Sequence, residues 1–193
     1  LVCFFFFREM NSFLKYTLIG TLLLSVICVS TKSIEKIHEF SLQKKWPGEK
    51  ILAYKNSVYG NIVLIKKQAQ QTLFYNGLPL IIMPYPDVSF IETFVDLPLL
   101  MHQNPRNILI INSGIGGIIN ETLSYDPQRI DYVELDGSII DILNQYPSQL
   151  TDRELHAPHV HVQRTDARLF LKKPHRVYDM IFIGTPSPSD LKT

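Results

Sequence analysis

LIINSGIGGIINETL, residues 109–123, joins an apolar strand pattern to a helix pattern through a glycine turn. Asn107 to Gly114 is a nearly continuous apolar run, as expected of a strand buried on both faces. Gly114, Gly116 and Gly117 then form the turn, and a helix is expected from about residue 117 to 124. Glycines at such a turn let the backbone take positive φ and approach a ligand closely. A strand that delivers a nucleotide to a helix N-terminus is built this way, and many chemistries share it.

Downstream of the turn the pattern alternates. RIDYVELD (129–136) reads as a second strand and SIIDILNQYP (138–147) as a helix closed by Pro147. A third strand at about 159–164 leads through Asp166 into a short helix, and YDMIFIG (178–184) is a fourth strand. Strands separated by helices imply a parallel sheet with right-handed crossovers. Glu134 ends the second strand, where a carboxylate accepts hydrogen bonds from a ribose diol. Asp136 beside it would repel a 2′-phosphate. Asp166, after the third strand, is placed to accept from an adenine amino group. No third glycine stands at the dinucleotide spacing, where Asn120 and bulky residues lie, so the turn suits an adenosyl nucleoside better than NAD.

Upstream, residues 50–83 read as short antiparallel strands. Ile51–Tyr54 and Asn61–Ile65 flank a turn with Asn56, Ser57 and Gly60, and QTLFYNGLPLIIM is a hairpin about Asn76-Gly77. Such a sheet serves as a structural cap or an oligomerisation element, which makes a homodimer an expectation. FIETFVDLPLLMH (90–102) reads as a helix with Phe90, Phe94, Leu97 and Met101 on its apolar face. Glu92 and Asp96 share another face, where they bind an amine or meet water. Tyr59 and Tyr75 could hold a cationic ligand through cation–π contact or simply pack.

Phe13 to Ser30 is apolar apart from Lys15. It reads as a membrane anchor, with a cleaved signal starting at Met10 as the alternative. A lipoprotein signal is disfavoured by the bulky Val26 and Ile27 before Cys28. Lys32, Lys36, Lys44 and Lys45 follow the segment, against Arg8 and Lys15 before it, which places the soluble part in the cytosol. Export follows if the segment is a signal. The expected division is an apolar segment at 1–31, a β-hairpin domain and linking helix at 32–103, and an incomplete nucleoside-binding domain at 104–193. The chain opens on Leu1 and stops at Thr193, so it reads as a fragment of a longer protein.

Composition sets the bounds. The chain has 193 residues, 46% hydrophobic and 19% charged, with net charge +1. That excludes a disordered chain and gives no electrostatic case for a nucleic-acid partner. Cys3 and Cys28 both lie in the apolar N-terminal region, so the rest has neither a disulfide framework nor a cysteine metal site. His156, His159 and His161 form an H-x-x-H-x-H cluster with no evident fourth ligand, and no metal is expected. No nucleophile-elbow signature supports a hydrolase.

In order, YGNIVLI, FIETFVDLPLLMHQNPRNILIINSGIGG, IDYVELD, VQRTDARLFL and YDMIFIGTPSPS resemble the spermidine synthase family of polyamine aminopropyltransferases. The resemblance covers about residues 50–190. It looks most like a subgroup in which this domain follows membrane helices. It implies an α/β fold, with a small N-terminal antiparallel β domain before a methyltransferase-like Rossmann domain. It implies decarboxylated S-adenosylmethionine as co-substrate, with no permanently bound cofactor. The aminopropyl group passes to putrescine and methylthioadenosine leaves. By position, Gly114, Gly116 and Gly117 would form the nucleoside loop, Glu134 would hold the ribose, and Asp166 with Ala167 the adenine.

The chain departs from the family pattern on the amine side. Ile115 stands where the loop usually carries an aspartate, and Ile91 where the helix carries a histidine, though Glu92 is retained. Gly184 and Ser187 replace the aspartates at the end of the fourth strand. Loss of a general base costs about 10²–10⁴ in rate, unless a residue such as Asp190 substitutes. Three functions therefore compete: an aminopropyltransferase, a catalytically inactive nucleoside-binding or regulatory domain of a membrane protein, and an S-adenosylmethionine-dependent methyltransferase.

Overall fold

The structure, a computed structural model, describes residues 11–30, 41, 44–102, 104–172 and 177–184, with backbone only for 24–30. Cys3, Met10, Ser187 and Asp190 lie outside the described residues, as does the Cys28 side chain. The chain divides into two compact units, Leu1–Gly48 and Glu49–Thr193.

The first unit contains α1 (Ser12–Ser30), 19 residues long. The apolar run is thus helical, as its composition suggests. Among the described residues no helix is long and apolar enough to cross a membrane. The spanning expectation for residues 13–30 therefore gains no support here.

The second unit opens with a four-stranded antiparallel sheet in sequential order: β1 (Lys50–Asn56), β2 (Asn61–Lys67), β3 (Gln70–Tyr75) and β4 (Leu78–Met83). The Asn76-Gly77 turn forms as expected, with φ of 51° and 84°. Both values are left-handed, as a two-residue hairpin of matching twist requires. Ile62, Val63, Leu64 and Ile65 of β2 are all buried, so this strand is covered on both faces.

Helix α2 (Val88–Met101) follows, and the Asp87 side chain caps it by accepting from the Phe90 amide at 3.1 Å. Its buried face differs from the expected one. Ile91, Val95 and Leu99 are buried, whereas Phe90, Leu97 and Met101 are exposed; of the expected face only Phe94 packs against the core, half-buried. Both sets have helical periodicity, and periodicity does not say which stripe meets the core. On the same helix Glu92 is exposed, whereas Asp96 is half-buried and hydrogen-bonds Tyr125.

Beyond α2 lie β5 (Asn107–Ile111), α3 (Ile118–Leu123), β6 (Arg129–Glu134), α4 (Gly137–Gln145), α5 (Gln149–His156), β7 (Val160–Arg164), α6 (Ala167–Leu171) and β8 (Met180–Ile183). The strands form a parallel sheet in the order β7-β6-β5-β8. Alternation along β5 divides it between two cores. Ile108 and Ile110 face the main core with Ile130 and Tyr132, while Leu109 and Ile111 pack with Val133 and Phe170 on the other face. The main core also takes in Ile62, Leu64, Leu73 and Ile81, so one apolar interior unites both sheets.

On the second face Asp131 is buried, paired with Arg129 at 2.8 Å and with the Tyr178 hydroxyl at 2.9 Å. Burial alone would raise its pKa; the two hydrogen bonds outweigh it and hold the carboxyl low.

Candidate functional site

The sheet order reverses at β5: β6 and β7 extend to one side and β8 lies on the other. Open α/β sheets bind ligands in the crevice beyond the carboxyl ends of the strands at such a switch point. A pocket of about 550 Å³ lies there, lined by Ser113, Ile115 and Gly116 after β5 and by Ile183 and Gly184 at the end of β8. Tyr75 to Ile82 of the β3–β4 hairpin and Asp87 and Phe90 at the start of α2 complete its walls. Apolar side chains dominate the lining; Tyr75, Asn76, Asp87 and Ser113 supply polar groups.

The glycine turn has the geometry its composition suggests. Gly116 and Gly117 have φ of 100° and 128°. A Cβ at Gly114 would stand 2.8 Å from the Tyr132 ring, and one at Gly117 would stand 2.2 Å from Ile91 Cδ1. Asn112 and Ser113 just before the turn are also left-handed, with φ of 55° and 49°. That conformation is unfavourable for a residue with a Cβ. Side-chain hydrogen bonds hold both: the Leu135 amide donates to Asn112 Oδ1 at 3.3 Å, and Ser113 Oγ donates to the Gly184 carbonyl at 2.8 Å.

Behind the turn lies a residue absent from the sequence reading. Glu154 of α5 is fully buried, and its carboxylate accepts from the amides of Gly116 and Gly117, each at 2.7 Å, and of Asn120 at 3.2 Å. Burial pushes its pKa up to about 7, against the pull of the three amides.

Glu134 is buried at the end of β6, where it accepts from the Tyr132 hydroxyl and from the Asp136 amide at 3.2 Å. Burial raises its pKa despite those bonds. An ionised carboxylate offers about four acceptor positions, so two partners leave room for a ligand. Asp136 caps α4 through the Ser138 amide at 3.0 Å and also accepts from Ser57 Oγ in the β1–β2 turn. Tyr75 is pushed up to about 12 by burial, then by Asp136, Glu134 and Tyr59. Tyr75 of the antiparallel sheet therefore sits within electrostatic reach of Glu134 at the end of β6 and of Asp136 at the start of α4.

The other candidates are more dispersed. Asp166 caps α6, accepting from the Arg168 amide at 2.7 Å and from its guanidinium at 2.7 Å. The Arg168 side chain chiefly holds its pKa down to about 2. Ala167 is the first residue of that helix. Asp166 and Glu134 both lie at the carboxyl edge of the sheet, but neither lines the pocket, nor do Tyr59 and Glu92. The three histidines go separate ways. His156 meets Asp152 within α5, His159 meets the Gln128 carbonyl at 3.2 Å, and His161 lies in β7 beside Asp131.

At the carboxyl end of β8 there is no room for a side chain. A Cβ at Gly184 would stand 2.7 Å from the Asn112 carbonyl oxygen and 2.7 Å from Ser113 Cβ.

These features define an α/β domain of Rossmann type, walled on one side by an antiparallel sheet. Residues 88–190 match the spermine/spermidine synthase domain, and the chain belongs to that family. It is 26% identical over 153 residues to the polyamine aminopropyltransferase of Buchnera aphidicola subsp. Acyrthosiphon pisum, covering 79% of this chain and 50% of that one. Over 98 residues it is 35% identical to the polyamine aminopropyltransferase of Lachnospira eligens, covering 50% and 34% of the two. The chain thus spans between a third and a half of the length of these curated relatives. The fold matches spermidine synthase from Thermotoga maritima with a TM-score of 0.63 at 21% identity, covering 74% of this chain and 49% of that one. It matches a spermidine synthase solved with the transition-state analogue AdoDATO with a TM-score of 0.62 at 20% identity, covering 69% and 47%.

Proposed function

We propose that this chain is the nucleoside-binding core of a spermidine-synthase-like aminopropyltransferase of polyamine biosynthesis. Its pocket takes decarboxylated S-adenosylmethionine and releases methylthioadenosine. The observation that carries this reading is the pocket at the β5/β8 switch point, floored by Ser113 to Gly116 and walled by Tyr75. In the reaction an amine attacks the methylene carbon next to the sulfonium, and the C–S bond electrons leave on sulfur. Positioning of the amine and neutralisation of charge supply most of the rate. Gly114, Gly116 and Gly117 shape the floor; beyond the pocket, along the carboxyl edge of the sheet, Glu134 takes the ribose hydroxyls and Asp166 with Ala167 the adenine edge. Tyr59, Tyr75 and Glu92 are the amine-side candidates.

A second reading is a nucleoside-binding domain without turnover. The crowding at Gly184 favours it, since a carboxylate there has no space. Incubating the full-length protein with decarboxylated S-adenosylmethionine and putrescine separates the two readings. Release of methylthioadenosine with formation of spermidine supports the enzyme. Tight nucleoside binding without product supports the second reading, and methyl transfer from S-adenosylmethionine would replace both with a methyltransferase. Membrane attachment through residues 13–30, with the domain cytosolic, and a homodimer belong to the same proposal. Membrane fractionation and sedimentation test them.

A further inference from the structure

The Rossmann turn ordinarily presents backbone amides to an anion, because the first N–H groups of the following helix have no partner within it. In this chain those amides are turned inward. Glu154 Oε2 accepts from Gly116, and Oε1 accepts from both Gly117 and Asn120. The Ile119 amide is taken as well, donating to the Gly114 carbonyl at 2.9 Å. Glu154 is 0% exposed, and it comes from α5, more than thirty residues further along the chain. Gly116 nonetheless lines the pocket. The loop therefore offers a ligand its glycine surface but not these hydrogen-bond donors, with a carboxylate behind them.

We infer that Glu154 is a specificity-determining residue: it fills the anion seat of the glycine loop from within, so the site accepts adenosine nucleosides whose 5′ substituent is neutral or cationic and rejects those bearing a phosphate. This rests on the nucleoside reading above. A ribose held at the end of β6 directs its 5′ substituent over the glycine loop, as in other folds of this type. A phosphate placed there finds its usual donors occupied and meets a like charge. At a separation of several ångströms and an effective dielectric near 20, such repulsion corresponds to about a 10- to 100-fold change in affinity. A sulfonium or a thioether meets no such repulsion.

The test compares methylthioadenosine with 5′-AMP, which share adenine and ribose and differ in the 5′ group. Affinities are measured by calorimetry at pH 8, where Glu154 is ionised. The full-length protein is expected to prefer methylthioadenosine by at least about 10-fold, and Glu154→Gln to narrow that preference about 10-fold. Glu154→Asp, which keeps the charge, should retain the preference even if both ligands weaken. A purely structural role would weaken both ligands in proportion and leave the ratio unchanged, which would overturn the inference. Equal binding of both ligands by the wild type would do the same while leaving the nucleoside reading intact. If neither nucleoside binds, that reading falls and this inference with it. Should Glu154→Gln not fold, hydrogen exchange in the ligand-free wild type decides. Slow exchange at Gly116 and Gly117 is expected, and fast exchange would show the amides unoccupied.

Discussion

Gly117 carries a φ of 128°, and a Cβ on it would run into Ile91 Cδ1 at 2.2 Å. Both faults are local to one residue, and the second lies against the main core, where Ile91 is buried. Gly117→Ala is therefore expected to cost about 2–3 kcal/mol from backbone strain and overpacking together. Urea denaturation measures this directly; a midpoint within error of wild type would show that the turn relaxes. The glycines of the turn were readable from sequence because only glycine meets such demands. The left-handed Asn112 and Ser113 were not, since their conformation depends on bonds to Leu135 and Gly184. The crowding at Gly184 was likewise invisible, because Asn112 and Ser113 supply it across the sheet.

Helix α5 shows what was lost between elements. Ser148 and Thr151 form a reciprocal capping box, with the Thr151 amide on Ser148 Oγ at 3.1 Å and the Ser148 amide on Thr151 Oγ1 at 3.0 Å. Ser148→Ala should cost about 1 kcal/mol, and because α5 carries Glu154 it should also speed amide exchange at Gly116 and Gly117. Unchanged exchange would mean that the helix is held by packing alone. The sequence reading passed over this helix, although Ser148 three residues before Thr151 was a start signal. Missing the helix hid Glu154. By contrast, the strands and the Asn76-Gly77 turn were readable, since their signals are local. The buried stripe of α2 is not legible in the sequence, because Phe90, Phe94 and Leu97 repeat as well as Ile91, Val95 and Leu99 do. Phe90, Phe94 and Leu97 instead line an open apolar groove with Met180 to Ile183 of β8, an edge strand among the described residues.

Across the molecule, buried carboxylates of opposite shift set how stability responds to pH. Unfolded, Glu154 gives up its proton near 4.5; folded, burial holds it to about 7. Between those values the folded state binds more protons, so stability falls as pH rises, by roughly 3 kcal/mol over the window. Glu134 is raised too and acts in the same direction. Asp131 acts oppositely: burial raises it, the Arg129 and Tyr178 bonds pull it further down, and its stabilisation is lost as pH falls below 3.8. Urea stability should therefore peak on the acid side, near pH 4, and decline towards pH 8, and Glu154→Gln should flatten the decline. A wild-type profile level from pH 5 to 8 would contradict this.

The family follows from the match over residues 88–190, and the remaining question is what the switch-point pocket holds. Titration calorimetry of methylthioadenosine against wild-type protein and Glu134→Ala addresses it most directly. Saturable binding by the wild type, weakened at least about 10-fold in the variant by loss of hydrogen bonds to a charged group, is the expected result. Equal affinity in the two proteins would remove Glu134 from the site, and no binding to either would refute a nucleoside site in this pocket.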